Sequence, residues 1–272
     1  MTTACEAQPG DARHDLDSRQ LYLYDSLGYL HLRGALSPGE VDAFAGFFLG
    51  ATPDGHNATL HTDRWADLLP RGHMFRDFAR DPRIIRPLRN LINQPMRLVE
   101  TYGHRSGAGS FLYMHNGNTQ DLTYADGVRA TKNMAYRCEY HDGRLYTTYV
   151  KAIVYLTDVD AGDGPFCYVE GSHKANFAFP WPKGANGEPI LVANSGFPSL
   201  RTVPVAAGDI IFLNEALLHG AMPKSTGKPR ILMSYSFCPA FMTDWRPLQR
   251  AAGDLATAGY YDLDDESDFF EP

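Results

Sequence analysis

From about residue 97 onward the chain changes its hydrophobic period to two, and this constrains the fold more than any other feature of the sequence. Residues 97–102, 110–114, 146–156, 166–170, 202–205, 209–213 and 230–237 are apolar runs of strand length, rich in Val, Ile, Tyr and Phe. Turn clusters separate them, notably Asp160-Ala-Gly-Asp-Gly-Pro and Ala206-Ala-Gly-Asp. Short strands with Gly/Pro turns and few long helices predict a mainly β sandwich or jelly roll. The N-terminal part is mixed. Residues 28–34 read as a short strand. Ser37-Pro-Gly-Glu-Val reads as a helix start, with serine as N-cap and glutamate three positions on. That helix would bury Val41, Phe44, Phe47 and Phe48. Residues 83–93 predict a second helix, with Pro87 near its start or at a kink. These helices should pack on one sheet of the sandwich.

Of 272 residues, 44% are hydrophobic and 21% charged, which fits one globular domain and excludes a disordered, collagenous or coiled-coil chain. We expect a tail at residues 1–18, a single domain over 19–250 and an acidic tail at 251–272. The net charge of −7 comes with no basic stripe, so no nucleic-acid polymer is expected as a partner, although a local pocket can still take a small anion. No apolar stretch approaches a membrane span, and the first residues lack an apolar signal core. Cys5, Cys138, Cys167 and Cys238 form no C-x-x-C pair. They read as reduced thiols of a cytoplasmic protein and not as zinc ligands.

Two of the ten histidines stand out. His115 closes an apolar strand before a polar loop, and His219 closes another before Gly220. Arg230 opens the next strand. If those last two strands were antiparallel neighbours, Arg230 would lie beside His219 and could hold a ligand that chelates a metal there. On its own the pair is weak, because core and surface histidines are commoner than ligands. Gly103-His-Arg-Ser-Gly-Ala-Gly-Ser lacks the Gly-Lys-Ser/Thr ending of a phosphate loop and reads as a hairpin connection. His141-Asp-Gly reads as a turn, and His173 as a structural or surface group.

Three further segments, taken in order, carry a resemblance. Residues 150–177, with Val-Tyr-Leu-Thr-Asp-Val-Asp-Ala-Gly-Asp-Gly and then Phe-Cys-Tyr-Val-Glu-Gly-Ser-His-Lys, are similar to the phytanoyl-CoA dioxygenase family. Residues 28–41 resemble that family's N-terminal strand and helix, and residues 207–221 resemble the strand bearing its distal histidine. The resemblance spans roughly residues 20–240. Glu170 departs from it, where proline is usual. It implies a double-stranded β-helix and an iron(II)/2-oxoglutarate enzyme, with His115 and His219 as iron ligands and Arg230 holding the cosubstrate's distal carboxylate. Such centres normally add one carboxylate to two histidines. In the family it stands two residues after the first histidine, and here that position is Gly117.

A glycine there leaves a coordination position for a small anion. This is the arrangement of the family's aliphatic halogenases, and it implies chloride as a further cofactor beside Fe(II), 2-oxoglutarate and O2. The expected activity is chlorination of an unactivated carbon in specialised metabolism. Three alternatives compete. The literal match His61-Thr-Asp63 could be the site, but it lies far before the strand region. Asp121, Asp126 or Glu139 could supply a carboxylate and restore a hydroxylase. The fold could also serve as a non-catalytic binding module. The segment after His115 should roof the centre. Its cations and aromatics (Lys132, Arg137, His141, Arg144, Tyr124, Tyr136, Tyr140) suggest a substrate with a charged group and a flat ring, contacted by Arg137 and His141. A free small molecule is expected, for instance a deoxynucleotide, rather than a substrate on an acidic carrier protein.

Overall fold

The computed structural model describes residues 6–7, 16–115, 122–123, 129–130, 137–175 and 179–242. Gly117, Asp121, Asp126, Tyr124, Lys132, Tyr136, Cys5 and the acidic stretch 251–272 lie outside them.

Two sheets face each other. The larger has eight strands in the order β1-β2-β14-β11-β16-β5-β4-β3. In that order they are Glu6–Ala7, Tyr29–Leu32, Ile210–Asn214, Val150–Tyr155, Arg230–Pro239, Met96–Ser106, Thr62–Trp65 and Gly55–Asn57. The smaller has the order β13-β12-β15-β6, namely Leu200–Val203, Phe166–Val169, His219–Ala221 and Leu112–His115. Two separate ribbons complete the strands. One pairs β7 (Leu122–Thr123) with β8 (Arg129–Ala130), the other β9 (Cys138–His141) with β10 (Arg144–Thr147). The architecture is the mainly β jelly roll expected of the double-stranded β-helix.

Period-two alternation sorts the large sheet's side chains between its two faces. Val150, Ala152 and Val154, with Ile210, Phe212, Ile231, Met233, Tyr235 and Phe237, join the core beneath the helices. Ile153, Tyr155, Ile211 and Leu213 point the other way and meet Phe166, Tyr168 and Val203 of the small sheet. Tyr29 seals this inner core, with its ring 5.0 Å from Tyr168 and 5.9 Å from Phe166. The inner face of the large sheet is therefore apolar on the β2 side. Toward β5 and β16 it becomes polar.

Four helices cover the outer face: α1 (Ser18–Leu27), α2 (Pro38–Gly50), α3 (His73–Ala79) and α4 (Pro82–Ile92). The expected start of α2 is present as a capping box between Ser37 and Glu40, with Val41, Phe44 and Phe48 buried. Pro87 lies inside α4, which Asp81 caps. Some residues of the segment expected as a tail, 1–18, are described. Leu16 is buried, Asp17 caps α1, and β1 pairs with β2.

Three connections differ from expectation. Residues 146–156 are not one strand, because the chain breaks between β10 and β11. The glycine-rich segment 103–110 is not a hairpin connection, because β5 and β6 belong to different sheets. Its first four residues end β5, and those after Ser106 lead to the small sheet. The segment between β15 and β16 likewise links the two sheets, so His219 and Arg230 are not on neighbouring antiparallel strands. Their strands belong to opposite walls.

Candidate metal centre and cosubstrate pocket

His115 and His219 are direct partners in the register of β6 and β15, and their rings lie 4.3 Å apart. Gly220 makes this close approach possible, since a Cβ there would meet the Leu112 carbonyl at 2.8 Å. Each imidazole donates its Nδ1–H to a carbonyl two residues back, His115 to Tyr113 and His219 to Leu217, both at 2.7 Å. Those bonds fix the tautomer and leave both Nε2 lone pairs for a cation. Burial first, then the neighbouring His115, holds His219 down to about 3, so its ring is neutral at ordinary pH.

A third donor completes the group. Glu215 immediately follows β14, where Ala216 N–H bonds to the Asn214 side chain and the turn swings the carboxylate inward. One donor atom each from His115, Glu215 and His219 lie within 4.8 Å of one another. Burial opposes ionisation of Glu215, but Lys151 and the two histidines outweigh it and hold the carboxyl below its ordinary value. Lys151 Nζ lies 3.2 Å from Oε1 and 3.1 Å from Oε2. Two imidazoles and one carboxylate form a donor set suited to a first-row divalent ion such as Fe(II).

The inner face of the large sheet also carries a buried guanidinium. Arg230, Ser106 and Thr62 occupy one row across β16, β5 and β4. Arg230 donates Nη1–H to the Gly164 carbonyl and Nη2–H to Ser106 Oγ at 3.4 Å. Its Nε is buried without a hydrogen-bond partner, and no carboxylate pairs with it among the described residues. Ser110 Oγ is likewise buried without a partner. A buried guanidinium with an unbonded Nε and no carboxylate partner is costly, and a ligand carboxylate would relieve it. The cluster therefore fits both iron and 2-oxoglutarate.

The other sequence candidates fall elsewhere. His61 is the left-handed turn residue between β3 and β4, and Asp63 pairs with His56 and Arg105, so His61-Thr-Asp63 is a surface hairpin network rather than a metal site. Arg137 and His141 both pair with Glu139 on the β9/β10 ribbon, at 3.1 and 3.0 Å. That ribbon contributes Leu145 to the helix-side core. Asp142 and Gly143 make the expected turn between its strands, both with positive φ. His173 is structural, its Nε2–H donating to the Asp25 carbonyl at 2.9 Å. The His-x-Asp pattern places the acid just after a histidine, so it does not point to Glu215. The available signal was an acid four residues before the second histidine, at the exit of a strand.

Known proteins resemble this chain over most of its length. HygX from Streptomyces hygroscopicus, in a crystal structure with nickel and 2-oxoglutarate bound, is 40% identical with a TM-score of 0.78, over 85% of this chain and 90% of that one. Another HygX structure also holds hygromycin B. The epimerase SnoN from nogalamycin biosynthesis is 23% identical over 82% of both chains with a TM-score of 0.59, a likeness of fold. A search of curated protein sequences gave no match. The sequence model for phytanoyl-CoA dioxygenase (PhyH) matches residues 24–232. Most of the chain, including both histidines, Glu215 and Arg230, falls inside that match, and the protein belongs to the phytanoyl-CoA dioxygenase family.

Proposed function

We propose that this protein is an iron(II)/2-oxoglutarate-dependent oxygenase of a free small molecule, in which His115, Glu215 and His219 hold the iron and Arg230 the distal carboxylate of 2-oxoglutarate. The observation that carries the reading is the convergence of three donor atoms within 4.8 Å on the same interior that presents the unpaired Arg230 Nε. When bound, iron would supply oxidation of a C–H bond with O2 and 2-oxoglutarate as co-reactants, releasing succinate and carbon dioxide.

The chain's own residues prepare that chemistry. Both Nδ1–H bonds aim the imidazoles. Arg230, fixed by Gly164 and Ser106, orients one end of the cosubstrate. Tyr155, Phe166 and the inner apolar core exclude water from the cavity wall.

The halide alternative rests on a vacant donor position at Gly117. Glu215 supplies an anionic donor from another segment, so the missing carboxylate no longer calls for chloride. This supports the oxygenase reading over the halogenase one. The likeness to HygX supports a substrate related to hygromycin B more than a deoxynucleotide. Anaerobic addition of Fe(II) and 2-oxoglutarate should give a visible charge-transfer band that chloride leaves unchanged, and succinate should form with hygromycin B in air. A chloride-dependent band with a chlorinated product would restore the halogenase.

A further inference from the structure

Lys151 is an interior cation that the proposed chemistry has not used. It stands on central strand β11, between Leu213 and Ser236 in register, on the face that carries Ile153 and Tyr155. A lysine is rarely buried there, because the ammonium loses its hydration. The surroundings compensate it specifically. Both oxygens of Glu215 lie within 3.2 Å of Nζ, with side-chain exposures of 14% for Lys151 and 9% for Glu215. The rings of Tyr102 and Tyr149 each stand 5.9 Å from the ammonium.

The position of Glu215 explains why such a partner is useful. In the family pattern the carboxylate is a short aspartate fixed by its spacing from the first histidine. Glu215 has a longer side chain and starts from a turn, so it has more rotamer freedom to lose on binding a metal. A protonated ammonium has no lone pair and does not itself ligate. A carboxylate offers about four acceptor positions, so it can face a cation with one while keeping its lysine. Resting on the reading of Glu215 as a metal donor, we infer that Lys151 is a positioning residue that clamps the Glu215 carboxylate against the two histidines, doing the work that the His-x-Asp spacing does elsewhere.

The test is anaerobic Co(II) titration of the full-length apoprotein, followed by the ligand-field absorption of the bound ion and by chelator competition. Lys151→Met should weaken Co(II) binding about 10–100-fold and alter the absorption envelope, in the range typical for loss of a residue that orients a metal ligand. Lys151→Arg should retain most of the affinity and the wild-type spectrum. Lys151→Gln serves as the second neutral variant if the methionine impairs folding. In a Glu215→Ala background, Lys151→Met should have no further effect. Wild-type or tighter Co(II) binding by the neutral variants overturns the inference, as does an additive loss in the double variant. If Glu215→Ala alone leaves Co(II) affinity unchanged, the donor reading of Glu215 fails. If Glu215→Ala weakens binding but Lys151→Met does not, only the clamp fails.

Discussion

Replacing Arg230 by methionine should separate the stability of the protein from its response to cosubstrate. Arg230 is 7% exposed, and burial lowers its pKa from the ordinary arginine value, a sign that the fold holds this charge at a cost. Removing the guanidinium relieves that desolvation but orphans the Gly164 carbonyl and removes a donor from Ser106. These effects oppose one another, so the ligand-free melting temperature should change little. The bound state is different. Two hydrogen bonds to a charged carboxylate at about 1.5–3 kcal/mol each give about 3–6 kcal/mol, or about 10²–10⁴-fold in 2-oxoglutarate affinity. At a cosubstrate concentration 100 times Kd the wild type gains about 2.7 kcal/mol. For a domain of this size that raises Tm by roughly 5–11 °C. The assay is thermal unfolding in Mn(II), with and without 2-oxoglutarate. Arg230→Met should lose nearly all of the shift at the concentration that saturates the wild type. A variant that keeps the wild-type shift and concentration dependence would refute Arg230 as the carboxylate anchor.

Gly164 should prove as important as the arginine it supports. At φ +73°, an added Cβ would lie 2.7 Å from Arg230 Nη1 and 2.8 Å from the Met222 carbonyl. Gly187 has φ +80° with open space around it, so Gly187→Ala measures backbone strain alone, about 1–2 kcal/mol. Gly164→Ala should lose more stability than that in denaturant melts and raise the 2-oxoglutarate KM at least tenfold, and equal behaviour of the two variants would reject the clash. Asp209 accepts from His31 at 2.8 Å and from the Gly34 and Ala206 N–H groups. Burial raises its pKa, but those bonds prevail and hold it below the ordinary carboxylate value. Its stabilisation is therefore present above the unfolded pKa and lost as pH falls through the folded one. Asp209→Asn should cost about 1–3 kcal/mol near pH 7, with the gap to wild type closing below about pH 4. A gap that widens in acid would contradict that sign.

The regular parts of the fold were legible because local rules decide them. Alternation in residues 209–213 and 230–237 specifies which side chains face the helices, and the Ser37/Glu40 box needs only four residues to form. Two helices left less signal. In α1 only Tyr24 is buried, and α3 is a seven-residue helix whose start lacks a side-chain cap. The candidate donor histidines and Arg230 could be picked out from strand ends and family resemblance. Their sheet assignment could not, since a connection of given length can close a hairpin or cross a sandwich, and only long-range packing chooses. Glu215 illustrates the same limit. Its partner Lys151 is 64 positions away, and nothing in the local sequence reveals that the two share a wall of the cavity.

The two histidines belong to the small sheet, whereas Glu215 extends a strand of the large one, its N–H reaching the Tyr149 carbonyl at 3.3 Å. A cation gripped by all three thus fastens the mouth of the jelly roll like a clasp. Loading it should slow amide exchange in β6, β15 and the 214–218 turn together. A dicarboxylate stretched from that clasp to Arg230 adds a brace along the cavity, making the empty barrel the most pliable form of the protein and the fully charged one the stiffest.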